Sequence, residues 1–221
     1  MATKHKIRIN FYSLGEEIFS SVTHGVGALF SIAALVLMVV FSAIYGNARC
    51  VISSVLYGVS LIILYTCSTL YHALTHPTAK KVFRVLDHCT IFLLIAGTYT
   101  PITLLTLRHH GGWWVFGFLW GLTVLGIVLN AVSLERFKVF SMICYIVMGW
   151  CVVFCAVPFV KNTPLPGVLM ILAGGLFYTF GLIFFGSKHK YMHAIWHLFV
   201  LAGSIVHFFA ILFYILWPQF D

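Results

Sequence analysis

Charge is what this chain has least of. Of its 221 residues only 8% are Asp, Glu, Lys or Arg, and just five are acidic, against about 25% charged in an ordinary soluble domain. No stretch is long or polar enough to form a separate soluble domain. Disulfides are excluded in a similar way. Of the six cysteines, Cys67, Cys89, Cys144, Cys151 and Cys155 fall within apolar runs and only Cys50 lies near a loop, so no framework of bridges is expected. Rings of charge that would line an ion pore are also missing.

What is present is apolar surface. Hydrophobic residues make up 62% of the chain and the mean hydropathy is +1.04, which marks an all-α, polytopic membrane protein forming one domain over residues 1–221. A spanning helix needs about 20 apolar residues. Seven runs qualify, at 18–45, 51–74, 84–106, 113–133, 138–160, 165–186 and 191–217, behind a short N-terminal segment, 1–16. Short breaks rich in Gly, Pro and charge separate them, such as "THPTAKK", "LERFK" and "KNTPLPG". The runs are continuously apolar, whereas barrel strands would alternate over about ten residues. The first run is too long for a signal peptide and is expected to be retained.

The net charge of +8 reads as topology, with no nucleic-acid signal. Sorted by alternate loops, Lys4, Lys6, Arg8, Lys80, Lys81, Arg84, Arg136, Lys138, Lys188 and Lys190 fall on the N-terminal side, and Arg49, Arg108 and Lys161 on the other. The positive-inside rule then puts the N-terminus in the cytoplasm and the C-terminus outside. A cell membrane is the expected location.

Ionisable residues inside spanning runs are costly, about 2.5 to 3.5 kcal/mol for Asp, Lys or Arg at mid-helix, so each one is a functional candidate. Glu17, His24, His72, Asp87, His88, His193 and His197 all fall at the cytoplasmic ends of their helices; His207 alone does not. His193 and His197, four residues apart, project from one helix face about 6 Å apart in rise. They are either interfacial side chains with wet tips or two ligands of one metal. His72 completes a trio of the kind that catalytic zinc takes. Ser68, one turn from His72, and Asp87 are then placed to hold a water or orient an imidazole. Asp87 would act as acid or base, although a helix N-cap or a pairing with Arg84 or His88 would also account for it. His207 shares the stripe of His193 but lies roughly 20 Å deeper. That is too far for the same metal, so it is either a proton-path residue or one interhelical hydrogen bond.

The motifs "EEIFSSVTHGVG", "STLYHA", "LDHCTIFLLIAGTYTP", "MGW" and "HAIWHLFVLAGSIVHF" resemble the bacterial haemolysin III proteins, within the progestin and adipoQ receptor family that includes the adiponectin receptors. The resemblance covers residues 15–217. It implies a bacterial inner membrane as the location, seven membrane helices, a cytoplasmic N-terminus, and zinc held by His72, His193 and His197 with Ser68 and Asp87 around its water. Glu17 and His24 match the family's first motif and are candidates for contact behind the ligands, or Glu17 simply favours a helix N-terminus. Ser20 stands where the family usually has Asn.

Two functions follow as expectations. In one, the protein hydrolyses a lipid with zinc, ceramidase-like, on a long-chain acyl amide, with an acyl chain or fatty acid held in the bundle; the resemblance implies this through the related alkaline ceramidases. In the other it is a receptor, channel or haemolytic, pore-forming protein whose zinc is structural.

Overall fold

A computed structural model of the chain describes residues 12–187 and 189–220, and every regular element among them is helical. Lys4, Lys6, Arg8 and Lys188, part of the charge asymmetry above, lie outside the described residues, as does most of the N-terminal segment 1–16. Six helices are long and apolar enough to cross a membrane.

Helix α1 spans Leu14–Tyr45. It starts four residues before the apolar run because Ser13 and Glu16 form a capping box: the Ser13 N–H and hydroxyl donate to Glu16 Oε2 at 2.9 and 2.6 Å. Its buried stripe is Glu16, Ser20, His24, Gly27, Ser31, Ala34, Met38 and Ser42, while Leu14, Ile18, Val22, Leu29 and Val36 stay exposed. Small and polar residues face the bundle and large apolar ones face outward. That inversion of soluble packing is what lipid-facing helices need, since lipid rewards exposed Leu and Val as much as a core does and helices associate by close approach. Helix α2, Ala48–Ala73, is capped by Asn47 and meets α1 at such points: a Cβ on Gly27 would strike the Tyr65 ring at 2.6 Å, and one on Gly58 would strike Leu35. Ser42 and Ser54 share a hydrogen bond of 2.9 Å.

Helix α3, Pro77–Pro101, continues as a π turn over Ile102–Thr106. It begins seven residues before the apolar run 84–106, because Pro77 sits in the first turn, where its missing N–H costs nothing. Lys80, Lys81 and Arg84 are therefore helical rather than in a loop. Pro101, at the helix end, marks the passage into the π turn. In the most apolar window of this helix 72% of the residues are buried, against 28% in α1, so α3 runs through the centre of the bundle.

Helix α4, Gly112–Gly149, leads through a 3-10 stretch, Cys151–Cys155, into α5, Ala156–Lys161. Ser133, with φ −163° and ψ 93°, breaks it in extended backbone. The chain folds back there: Ser141 Oγ donates to Asn130 Oδ1 at 2.7 Å, a pair that a straight helix would hold about 16 Å apart. Both arms pack on Phe92, one through Gly126 and the other through Tyr145. Helices α6, Leu165–Phe185, and α7, Met192–Ile211 with a π turn at Leu212–Leu216, complete the fold.

Candidate metal centre

The first turn of α1, the last turn of α2, the start of α3 and the start of α7 meet at one end of the bundle. His72 arrives from α2, and His193 and His197 come from successive turns of α7; one ring nitrogen from each lies within 4.8 Å of the others. The Nε2 atoms of His193 and His197 are 3.2 Å apart. Tetrahedral zinc with bonds of about 2.0–2.1 Å would hold its nitrogens roughly 3.3 Å apart, so this pair already has ligand spacing. His72 is oriented from behind. Its Nδ1 donates to Glu17 Oε2 at 2.6 Å, while its Nε2 is buried with no hydrogen-bond partner. A carboxylate that fixes the tautomer and leaves the far nitrogen bare is the arrangement found behind metal-bound histidines. The donor set therefore fits a metal.

Glu17 is held in turn. Its Oε1 lies 2.8 Å from the Lys80 ammonium, and Lys80 also donates to the Tyr71 and Leu74 carbonyls at the end of α2. Glu16 points the other way, and its Oε1 accepts the Tyr191 N–H at 2.7 Å. Tyr191 has φ 63°, a left-handed residue that turns the chain into α7 two positions before His193. The two adjacent glutamates thus brace the helix ends that carry the three histidines.

Aromatic rings close the site. His24 lies flat on His197, centroids 3.7 Å apart and 9° from parallel, and Tyr65 meets His24 edge-on. Tyr12 stacks on His193 at 4.8 Å and 15°. Burial, followed by the Glu17 charge, pushes the Tyr12 phenol up to about 12, so it stays neutral over the site. Ser20 approaches His197 through its backbone carbonyl, a contact that does not depend on the side chain at that position.

Ser68 and Asp87 complete the surroundings. Ser68 Oγ is buried and lies beside the Asp87 carboxyl. Asp87 is 6% exposed and lies well inside α3, whose N-cap is His76, so the N-cap account of Asp87 does not hold. Arg84 pairs with Glu135 at 2.7 Å, tying α3 to the turn of α4. His88 takes no part in the trio; its Nδ1 bonds the Arg84 carbonyl at 2.9 Å.

A cavity of ≈ 130 Å³ starts between His24 and Asp87 and runs between α3, α4, α6 and α7 to Gly149, Trp150 and His207. Its walls are mainly apolar, with Leu64, Ile91, Leu94 and Val200 among them. His207 sits far from the trio, as its sequence position requires. Its Nε2 donates to the Ile171 carbonyl at 2.9 Å, and its ring lies where a Cβ on Gly174 would be, 2.3 Å away.

The haemolysin-III related family model matches residues 12–208. The chain belongs to that family. Every side chain of the site, from Tyr12 to His207, lies within the match. Hemolysin-3 of Bacillus cereus is 45% identical over 202 residues, covering 91% of this chain and 92% of the relative. A Hemolysin-3 homolog of Bacillus subtilis is 40% identical over 204 residues, 92% and 96% of the two chains. The monocyte to macrophage differentiation factor of Homo sapiens is 31% identical over 171 residues, 72% and 69%. With the six apolar helices, family membership identifies a multi-pass membrane protein, and the Bacillus relatives agree with a bacterial cell membrane.

Glu16, Lys80 and the rings of Tyr12 and Tyr65 escape a reading of the sequence alone. Glu16 carried a signal, since Ser13 followed three positions later by an acid is a capping box. Lys80 carried none, because a loop lysine and a buried one look alike until Glu17 and the end of α2 are placed around it.

Proposed function

We propose that the protein is a zinc-dependent hydrolase of a membrane lipid, cleaving a long-chain acyl amide with its reacting group at the cytoplasmic leaflet. The observation that carries this reading is the convergence of three imidazoles beside an apolar cavity whose wall also holds Asp87. An all-imidazole donor set favours zinc over calcium or magnesium. Zinc at these residues would polarise the acyl carbonyl and bring the pKa of a water to about 7. The remaining work falls to the chain. Glu17 keeps His72 in the tautomer that bares Nε2, Asp87 takes the water proton and hands it to the leaving amine, and Ser68 positions the Asp87 carboxyl. The apolar walls receive the acyl chain and keep bulk water out.

We read the bundle as seven crossings with the N-terminus in the cytoplasm. Straight, the 50 residues of Gly112–Lys161 would reach about 75 Å, more than twice the hydrocarbon core of about 30 Å. The break at Ser133 and the Ser141–Asn130 bond support two antiparallel spans. The described cations, Lys80, Lys81, Arg84, Arg136, Lys138 and Lys190 against Arg49, Arg108 and Lys161, support the orientation.

The test is metal analysis of purified protein joined to hydrolysis of a long-chain acyl amide. His193→Ala should lose the zinc; Asp87→Asn should keep it and lose turnover. Zinc retained in His193→Ala would sink the site, and turnover retained in Asp87→Asn would sink the role of the acid. The printed names of the Bacillus relatives support a second reading, a haemolytic protein with a structural metal. Dye leakage from liposomes that survives Asp87→Asn but not His193→Ala would favour it.

A further inference from the structure

At the far end of the cavity the polar groups of the wall can be accounted for one at a time. Tyr99 donates to the Gly149 carbonyl and accepts the Val152 N–H. Thr98 donates to the Leu94 carbonyl. Thr179 donates to the Gly175 carbonyl and accepts from Trp150 Nε1. His207 is different. Its Nε2 is committed to the Ile171 carbonyl and must carry the proton, because a carbonyl only accepts; Nδ1 is then a bare acceptor, buried and without a partner. His207 is 6% exposed and lines the cavity. A buried acceptor left unmade costs about 1–3 kcal/mol, which marks it as a place for a donor to arrive.

Beside it, Tyr178 meets the His207 ring edge-on at 5.3 Å and bonds Ser204 Oγ at 2.8 Å. Tyr65 donates into that same Ser204 oxygen at 2.8 Å. The bond between Ser204 and Tyr178 can run in either direction, and with Ser204 as its donor the Tyr178 proton is free to turn to the cavity. Gly175 leaves room at this level: a Cβ there would meet nothing within 4 Å. The wall thus offers one acceptor and one donor side by side on an otherwise apolar surface.

We propose that His207 Nδ1 and the Tyr178 hydroxyl form a second polar subsite, which recognises a hydroxyl group carried part-way along a lipid chain whose reactive end lies at the histidine trio. A hydroxyl both donates and accepts, and so satisfies both atoms at once. The ten residues between His197 and His207 correspond to about 15 Å of helix rise, so the hydroxyl belongs in mid-chain and not beside the headgroup. The inference rests on the acyl-chain reading of the cavity given above.

The experiment compares binding of stearic acid and its 12-hydroxy derivative to the purified protein, in detergent, by calorimetry. Wild type should bind the hydroxylated acid roughly three- to tenfold more tightly, the range one net hydrogen bond gives, and His207→Phe should bind both equally. Moving the hydroxyl along the chain in the wild type alone, which needs no variant to fold, should give a preference that peaks in mid-chain and vanishes next to the carboxyl. Equal binding of both acids by the wild type, a preference that survives His207→Phe, or a flat positional profile would each overturn the subsite while leaving the acyl-chain reading in place. Failure of the wild type to bind either acid would overturn the acyl-chain reading, and the subsite with it.

Discussion

Replacing Glu17 by Gln separates what this carboxylate does for the fold from what it does for the metal. Two groups lean on it: the His72 Nδ1–H at 2.6 Å and the Lys80 ammonium at 2.8 Å. The amide cannot serve as an anionic acceptor for the first, and loss of such an outer partner typically weakens metal binding 10- to 100-fold. It also takes the carboxylate from the Lys80 ammonium, whose side chain is 3% exposed and which keeps the Tyr71 and Leu74 carbonyls. Removing one partner of a buried pair costs about 3–5 kcal/mol. The Glu17 side chain is 12% exposed, which admits some water and places the cost near the lower end, about 3 kcal/mol. The double variant Glu17→Gln with Lys80→Met removes the buried ammonium that lost its carboxylate, so it should recover most of the stability while metal affinity stays 10- to 100-fold down. Thermal denaturation of the apo protein in detergent reads the first quantity, and competition with a chromophoric chelator reads the second. If affinity returns together with stability in the double variant, Glu17 acts on the metal only through the fold, and the tautomer argument is wrong.

Other expectations are simpler. Gly174→Ala places a Cβ 2.3 Å from the His207 ring and should break the Ile171 clip between α6 and α7, at about 1–3 kcal/mol; an unchanged melting temperature would show that the ring shifts freely. Tyr12→Phe should leave metal affinity unchanged through the neutral range, because burial already holds the phenol neutral with its pKa at about 12, whereas Tyr12→Ala should uncover His193 and speed metal exchange several-fold in chelator-chase measurements. Reporters fused to the two termini should fall on opposite sides of the membrane, and a shared side would reject the seven-crossing topology.

The fold was legible where lipid dictates it and less so where helices end or turn. Long apolar runs specify spans because backbone in hydrocarbon must satisfy itself, and the expected runs fall largely in the six helices long and apolar enough to cross a membrane, with 113–133 and 138–160 sharing one of them. Ends were misplaced at α1 and α3 because capping by Ser13 and Pro77 extends a helix past its apolar residues. The fold-back at Ser133 was foreshadowed only by the charged "LERFK" break. At the site, the spacing of His193 and His197 marked them as one face, and the trio with His72 comes together in the folded chain. The partners of Glu17 and His24 were not legible. Lys80, His72 and His197 reach them from three other helices, and nothing local to α1 records those contacts.

The scarcity of acid in this chain strengthens the case for a built site over an incidental cluster. Of the five acidic residues, Glu16 braces the start of α7, Glu17 grips His72 and Lys80, and Asp87 stands against Ser68; Glu135 pairs with Arg84, which rises from the same turn region of α3. A soluble protein spends carboxylates on hydration, and their positions then say little. Here each one in a helix carries an insertion cost, and a chance gathering of Glu17 and Asp87 around three imidazoles would accumulate that cost with no return. The charge pattern also limits what can bind. Glu17 is already matched by Lys80, so among the described residues the histidine trio has no spare anion beside it except Asp87. A divalent cation there would leave net positive charge facing the cavity mouth, and that favours a ligand whose polar end is a carbonyl or carboxylate over one that ends in an ammonium group.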